Sequence, residues 1–158
     1  MKTMKKILML MAGIGLLSNA VLHAGDSSAL TPAINSIYDH YLKIQSELVK
    51  DSLKGVSENA TAISKAVKSD DKKALPSEVA TEADALAKAT DVNSAREAFK
   101  PLSKSLIKYL ADNKVHSDSF TEVYCPMAEA SWLQTESEVH NPYLGKSMPN
   151  CGEVKHTY

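Results

Sequence analysis

Between Thr31 and Leu110 apolar residues recur every three or four positions, and no stretch shows the period of two that a half-buried strand needs. After Pro32, whose missing N–H costs nothing in a first helical turn, Ile34, Ile37, Tyr38, Tyr41, Leu42, Gln45 and Leu48 fall on one face. The spacing predicts a first helix from about Pro32 to Val49. Asp51 and Ser52 interrupt it as caps, and Leu53, Val56, Ala60, Ile63 and Val67 mark a second helix to about Lys68. One helix running through Lys50 and Asp51 is the other reading of this stretch. Beyond the polar link Ser69 to Lys73, Pro76 opens a third helix with Val79, Ala83, Leu86 and Ala87 inward. A fourth helix takes Ser94 and Glu97 as its capping box and Val92, Ala95, Phe99, Leu102, Leu106, Tyr109 and Leu110 as its buried stripe. Pro101 inside it predicts a kink, because a proline removes one helical hydrogen bond and crowds the preceding turn.

After Asp112 the pattern changes. Phe120 to Tyr124 alternates weakly, and prolines and glycines then exclude a long helix, so one or two short strands are expected within Phe120 to Leu144, anchored by Trp132. The expected fold is mainly α: an up-and-down four-helix bundle over Thr31 to Asn113, with a short loop- and strand-rich C-terminal tail over Lys114 to Tyr158 packed on it as one domain. A metal site or a disulfide would hold that tail in place.

Met1 to Ala24 carries three lysines, an apolar run from Ile7 to Leu17 and small residues at Ser18, Ala20 and Ala24. That is the pattern of a cleavable signal peptide, with the cut after Ala20 or Ala24, and the run is too short to span a bilayer. The expectation is a periplasmic protein without a membrane anchor after cleavage. Losing three of 18 basic residues and none of 19 acidic ones moves the formal net charge from −1 to −4. A chain this acidic is a poor partner for nucleic acid.

The candidate chemistry lies in the tail. Outside the signal segment the chain has two methionines and two cysteines, and they fall in two clusters, Cys125 with Met127 and Met148 with Cys151. Thiolate and thioether sulfurs select Cu(I) over harder ions, so these four residues make a candidate Cu(I) or Ag(I) site. His140, between the clusters, is a fifth candidate ligand or a hydrogen-bond partner of one; His116 and His156 are weaker ones. Two other readings stand beside this one. A Cys125 to Cys151 disulfide, favoured in an oxidising compartment, would close a loop of about 27 residues and contribute roughly 3 to 4 kcal/mol. It would leave the two methionines unexplained. A Cys2His2 zinc site from Cys125, Cys151, His140 and His156 fits by ligand count but not by spacing. His40 reads as a surface or core-edge histidine. No nucleophile elbow, phosphate loop or zinc-protease motif occurs, and the cysteines do not form a Cys-x-x-Cys pair, so an enzyme is not expected.

Tyr124-Cys-Pro-Met-Ala128, Trp132-Leu133, Asn141-Pro-Tyr-Leu-Gly145, Met148 and Cys151-Gly-Glu-Val154 together resemble an uncharacterised bacterial domain family, a domain of unknown function. Tyr41-Leu42 with Leu48, and Arg96-Glu-Ala-Phe99 with Leu102-Ser103, resemble its helical part. That domain occurs in small exported proteins and at the C-terminal end of CusB-type adaptors of heavy-metal efflux systems. The resemblance implies copper or silver handling through Cys125, Met127, Met148 and Cys151, with an efflux or copper-delivery protein as partner. The chain lacks the hairpin, lipoyl-like and barrel regions of those adaptors, which points to a free-standing module.

Overall fold

Local chemistry sets where each helix begins and ends in the computed structural model, which describes residues 30–158. The signal pattern and both cleavage positions lie outside the described residues. Helix α1 spans Pro32–Val49, with the Thr31 side chain accepting the Ile34 N–H. Two helices, not one, follow from the break at Lys50. Helix α2 spans Val56–Ser69 and starts from Gly55, whose φ of 72° is one that glycine adopts without steric cost. The expected caps at Asp51 and Ser52 are not used for this helix, because the Asp51 carboxylate is drawn instead to Arg96.

Helix α3 spans Ser77–Ala87 directly after Pro76, and its small buried residues Ala80 and Ala83 let its neighbours come close. Helix α4 spans Val92–Asp112 as one element with Pro101 inside it. Its capping box is Asp91 with Ser94, not Ser94 with Glu97: the Ser94 N–H donates to Asp91 Oδ1 at 2.9 Å and the Asp91 N–H donates to Ser94 Oγ at 3.3 Å. An aspartate three residues earlier captures the orphan amide first, and Glu97 pairs with Lys100.

Consecutive helices pack on one another, and α4 also meets α1. Tyr38, Tyr41, Ile44, Leu48, Phe99, Leu102, Leu106 and Leu110 are fully buried between them. Two of these carry polar tips that need partners. The Tyr38 hydroxyl donates to the Leu106 carbonyl at 2.8 Å, and the Tyr41 hydroxyl meets Ser103 Oγ at 2.8 Å while accepting the Leu133 N–H at 3.0 Å. That last bond joins the helical core to the tail.

The tail is a three-stranded antiparallel sheet of β1 (Thr121–Cys125), β2 (Ala130–Gln134) and β3 (Glu153–Thr157), in the order β2-β1-β3. Two strands fall where the sequence placed them. The third was not expected, because every residue of β3 is exposed and its sequence has no apolar alternation. Trp132 is the anchor: it has no exposed surface, packs edge-on to Tyr143 at 5.9 Å and donates from Nε1 to Gln134 Oε1 at 3.0 Å.

Hydrogen bonds from buried side chains hold the loops to the sheet and to the helices. Gln134 Nε2 donates to the carbonyls of Glu136 and Glu138, and Gln45 Nε2 donates to the carbonyl of His140. Arg96 then clasps loop to helices: Nε donates to the Pro142 carbonyl at 2.8 Å, and Nη2 donates to the Leu48 carbonyl at 3.0 Å and to Asp51. Gly145, at φ 52°, is seated so close that a Cβ there would lie 2.0 Å from Asp51 Oδ1.

The hydrogen bond from Arg96 holds the Asp51 carboxyl below its ordinary value of 3.8. A carboxyl depressed in the folded state contributes stability above the unfolded value, and that contribution disappears as pH falls through the folded one. Arg96→Met is therefore expected to lower stability by about 1 kcal/mol at neutral pH, mainly because the Pro142 carbonyl loses its donor, while the Leu48 carbonyl keeps the Asp51 N–H. It should also flatten the loss of stability on the acid side of pH 3.8. Urea denaturation from pH 2.5 to pH 7 checks both; a variant as acid-sensitive as the parent would show that the clasp contributes nothing.

Candidate functional site

Sheet register brings the two cysteines together. Cys125 is the last residue of β1, and Tyr124 pairs with Glu153 at the start of β3, so continuing the register puts Cys125 opposite Gly152 and next to Cys151 at the same end of the sheet. Cys125 opens a four-residue hairpin loop, Pro126 to Glu129, closed by the pairing of Cys125 with Ala130. Glu129 takes a left-handed conformation at φ 51° to complete it. On the other side, the Cys151 N–H donates to the Met148 carbonyl at 3.3 Å, which makes Met148 to Cys151 one turn. Gly152 then passes hard against the sheet: a Cβ there would stand 2.7 Å from Val123 and 2.8 Å from Trp132.

The result is a Cys125 Sγ to Cys151 Sγ separation of 2.8 Å, between residues 26 apart in the chain. Cys125 is buried and Cys151 half-buried, with no bond drawn between the sulfurs at this separation. A disulfide needs about 2.05 Å, and a tetrahedral ion with metal–sulfur bonds of about 2.3 Å holds its sulfurs about 3.7 Å apart. Either state lies within about 1 Å of movement.

The surroundings treat the sulfurs differently. Burial pushes the Cys125 thiol up, but the hydrogen bond with Cys151, the Ala128 and Met127 N–H groups and the Asn141 side-chain amide outweigh it, leaving it below the ordinary thiol value. Cys151 moves the other way, first through its hydrogen bond to Cys125 and then through burial and the neighbouring sulfur charge.

Met127 is 64% exposed and Met148 41% exposed; among the described residues Val154 is the other large apolar side chain that is exposed. Met127 adjoins both sulfurs through its N–H. The histidines are placed otherwise. His140 is half-buried and its backbone is engaged at both ends, by Gln134 and by Gln45. His156 packs on Tyr158 with ring centres 4.5 Å apart, His116 is exposed, and His40 bonds Asn59 at 2.8 Å at the core edge. Among the described residues no three side chains of His, Cys, Asp and Glu stand together as metal ligands, so the Cys2His2 set is not assembled there.

Sequence reasoning passed over Asn141. It is fully buried, its Oδ1 accepts the N–H groups of Tyr143 (2.8 Å) and Leu144 (2.9 Å), and its Nδ2 donates to the Cys151 carbonyl at 2.6 Å. An Asn-Pro pair in a loop is the available signal, since asparagine oxygens commonly accept the amide two residues on.

Fold and site together define a mainly α domain with a strand-rich tail that carries a paired-sulfur site. The chain belongs to the family described as Protein of unknown function (DUF3347), whose model matches residues 37–118. The match covers most of the helical part and ends before β1, so the sulfur loops lie beyond it. No curated protein and no solved structure matches the chain.

Mild oxidation of the reduced protein is expected to remove both titratable thiols and to raise unfolding stability by roughly 3 kcal/mol. Before oxidation, iodoacetamide should label half-buried Cys151 at least about tenfold faster than Cys125, because access outweighs thiolate character when a sulfur is enclosed. Peptide mapping reads the order of labelling; equal rates would contradict the burial of Cys125.

Proposed function

We propose that the protein is a periplasmic, non-enzymatic Cu(I)- or Ag(I)-binding protein that buffers the metal or delivers it to a heavy-metal efflux or copper-delivery partner. The observation that carries this reading is the Cys125 to Cys151 contact at 2.8 Å beside the two exposed methionines. Four soft sulfurs are the donor set that selects a monovalent coinage metal, and exposed thioethers have no packing role that would account for them. The proposed donors are Cys125, Met127, Met148 and Cys151, with His140 as a further ligand or a hydrogen-bond partner of one. The four helices serve as an up-and-down bundle, a rigid scaffold for the sulfur loops, in keeping with their consecutive packing.

Binding proceeds by substitution at sulfur. Cys125 and Cys151 would bind the ion through both sulfurs, each thiol proton passing to solvent as its metal–sulfur bond forms, and a thioether from either exposed methionine would complete the set. Because protons leave, affinity rises with pH. Release reverses the order: an incoming sulfur of the partner replaces the methionines first and Cys151 next, with no change in oxidation state. The N-terminal signal pattern supports export, and the resemblance to domains of efflux adaptors supports the partner class.

A second reading rests on the same contact. In an oxidising compartment the pair closes as a disulfide, and the protein is then a stapled helical structural or interaction domain without metal. Anaerobic titration of the reduced protein with Cu(I) against a chromophoric chelator separates the two. Replacing both Met127 and Met148 by leucine is expected to weaken Cu(I) binding about tenfold or more while changing stability by less than about 0.5 kcal/mol, as for other exposed positions. Cys125→Ser should abolish tight binding. A parent protein that binds no Cu(I) when fully reduced would leave the disulfide reading.

A further inference from the structure

We propose that Asn141 is the positioning residue of the sulfur pair, closing the loop from Asn141 to Cys151 into a ring that presents Cys151 to Cys125. Where it concerns metal, this rests on the Cu(I)/Ag(I) reading above.

The ring is built from five hydrogen bonds of one residue. The Asn141 N–H donates to the Pro149 carbonyl at 2.7 Å, and its carbonyl accepts the Gly145 N–H at 3.0 Å. Its Oδ1 takes the N–H groups of Tyr143 and Leu144, and its Nδ2 reaches across ten residues to the Cys151 carbonyl. With no exposed surface, Asn141 has no water to substitute for a lost partner, so each contact is costly to break. The ring is also tethered from outside. Arg96 holds the Pro142 carbonyl, Asp51 takes the Lys146 N–H, and Gly145 lies against both charged groups. Cys151 therefore stands at the end of a loop whose position is set by α1, α4 and Asn141. Holding one ligand in place before binding raises the effective concentration of the second sulfur, the same gain that preorganisation supplies in any chelate.

Asn141→Asp tests this with little change of shape. It keeps the acceptors for Tyr143 and Leu144, removes the amide donor to the Cys151 carbonyl and to the Cys125 sulfur, and puts a carboxyl in its place. The readout is the equilibrium of the Cys125/Cys151 pair against the glutathione couple in the full chain without metal, which measures how well the two sulfurs meet. Asn141→Asp is expected to shift that equilibrium toward the dithiol at least tenfold and to weaken Cu(I) binding by a similar factor. Tyr38→Phe, which removes a buried hydrogen bond of the helical core, should move neither. A folded Asn141→Asp protein with the parent's glutathione equilibrium overturns the proposal. If that variant does not fold, hydrogen exchange of the Asn141 side-chain amide in the parent decides: slow exchange, like that of core amides, supports the ring, and exchange as fast as an exposed asparagine overturns it. Failure of the parent to bind Cu(I) would remove the metal reading and leave the Asn141 result standing.

Discussion

The antiparallel register of β1 with β3 is the constraint on which the site depends. It pairs Tyr124 with Glu153 and so fixes which residues meet where the two strands end. A slip of one residue would turn alternate side chains to the opposite face and would carry Cys151 away from Cys125. What holds the register is a packing condition: Gly152 lies against Val123 and Trp132, where no larger residue fits without displacing one of them. Trp132 is in turn fixed by Tyr143 and Gln134. The 2.8 Å sulfur contact is thus the end of a chain of contacts that begins in the core.

The tail is rigid where ligands are positioned and open where they would exchange. Gln45, Gln134 and Asn141 are buried amides, each donating to a loop carbonyl that no strand or helix satisfies. Buried polar groups of this kind carry a high penalty when unpaired and specify one arrangement when paired. Met127 and Met148, by contrast, project into solvent beside that frame. A structural staple requires only the first of these features, whereas a metal carrier requires both. This pairing of fixed thiols with exposed thioethers is the physical ground for preferring a carrier.

The sequence announced the helical part well because helices leave a periodic signature. Ile34, Tyr38, Tyr41 and Leu48 are buried as their spacing required, and Pro32 and Pro76 stand at or just before helix starts. Caps were less legible, since Ser94 could begin a box with Glu97 or close one with Asp91, and only geometry decides between them. Strand β3 left no pattern because both its faces are wet. The sulfur clusters could be read from rarity alone, and the structure brings Cys125 and Cys151 together across 26 residues. The groups that hold them could not: Arg96 with Asp51, and Gln45 with the His140 carbonyl, are partners separated by 45 and 95 residues. Such pairings impose no local periodicity. Asn141 was visible only as part of a motif, without a role, until its donor was seen on the Cys151 carbonyl.

The central claim is that these sulfurs hold a monovalent soft metal in the cell, and the most direct test is the native and denatured mass of protein isolated anaerobically from copper-fed cells, with free thiols counted after metal removal. The account predicts a copper-bearing native species that loses its metal on denaturation and then shows two free thiols, at Cys125 and Cys151. A metal-free species lacking both thiols, which still fails to take up Cu(I) after reduction, would contradict it.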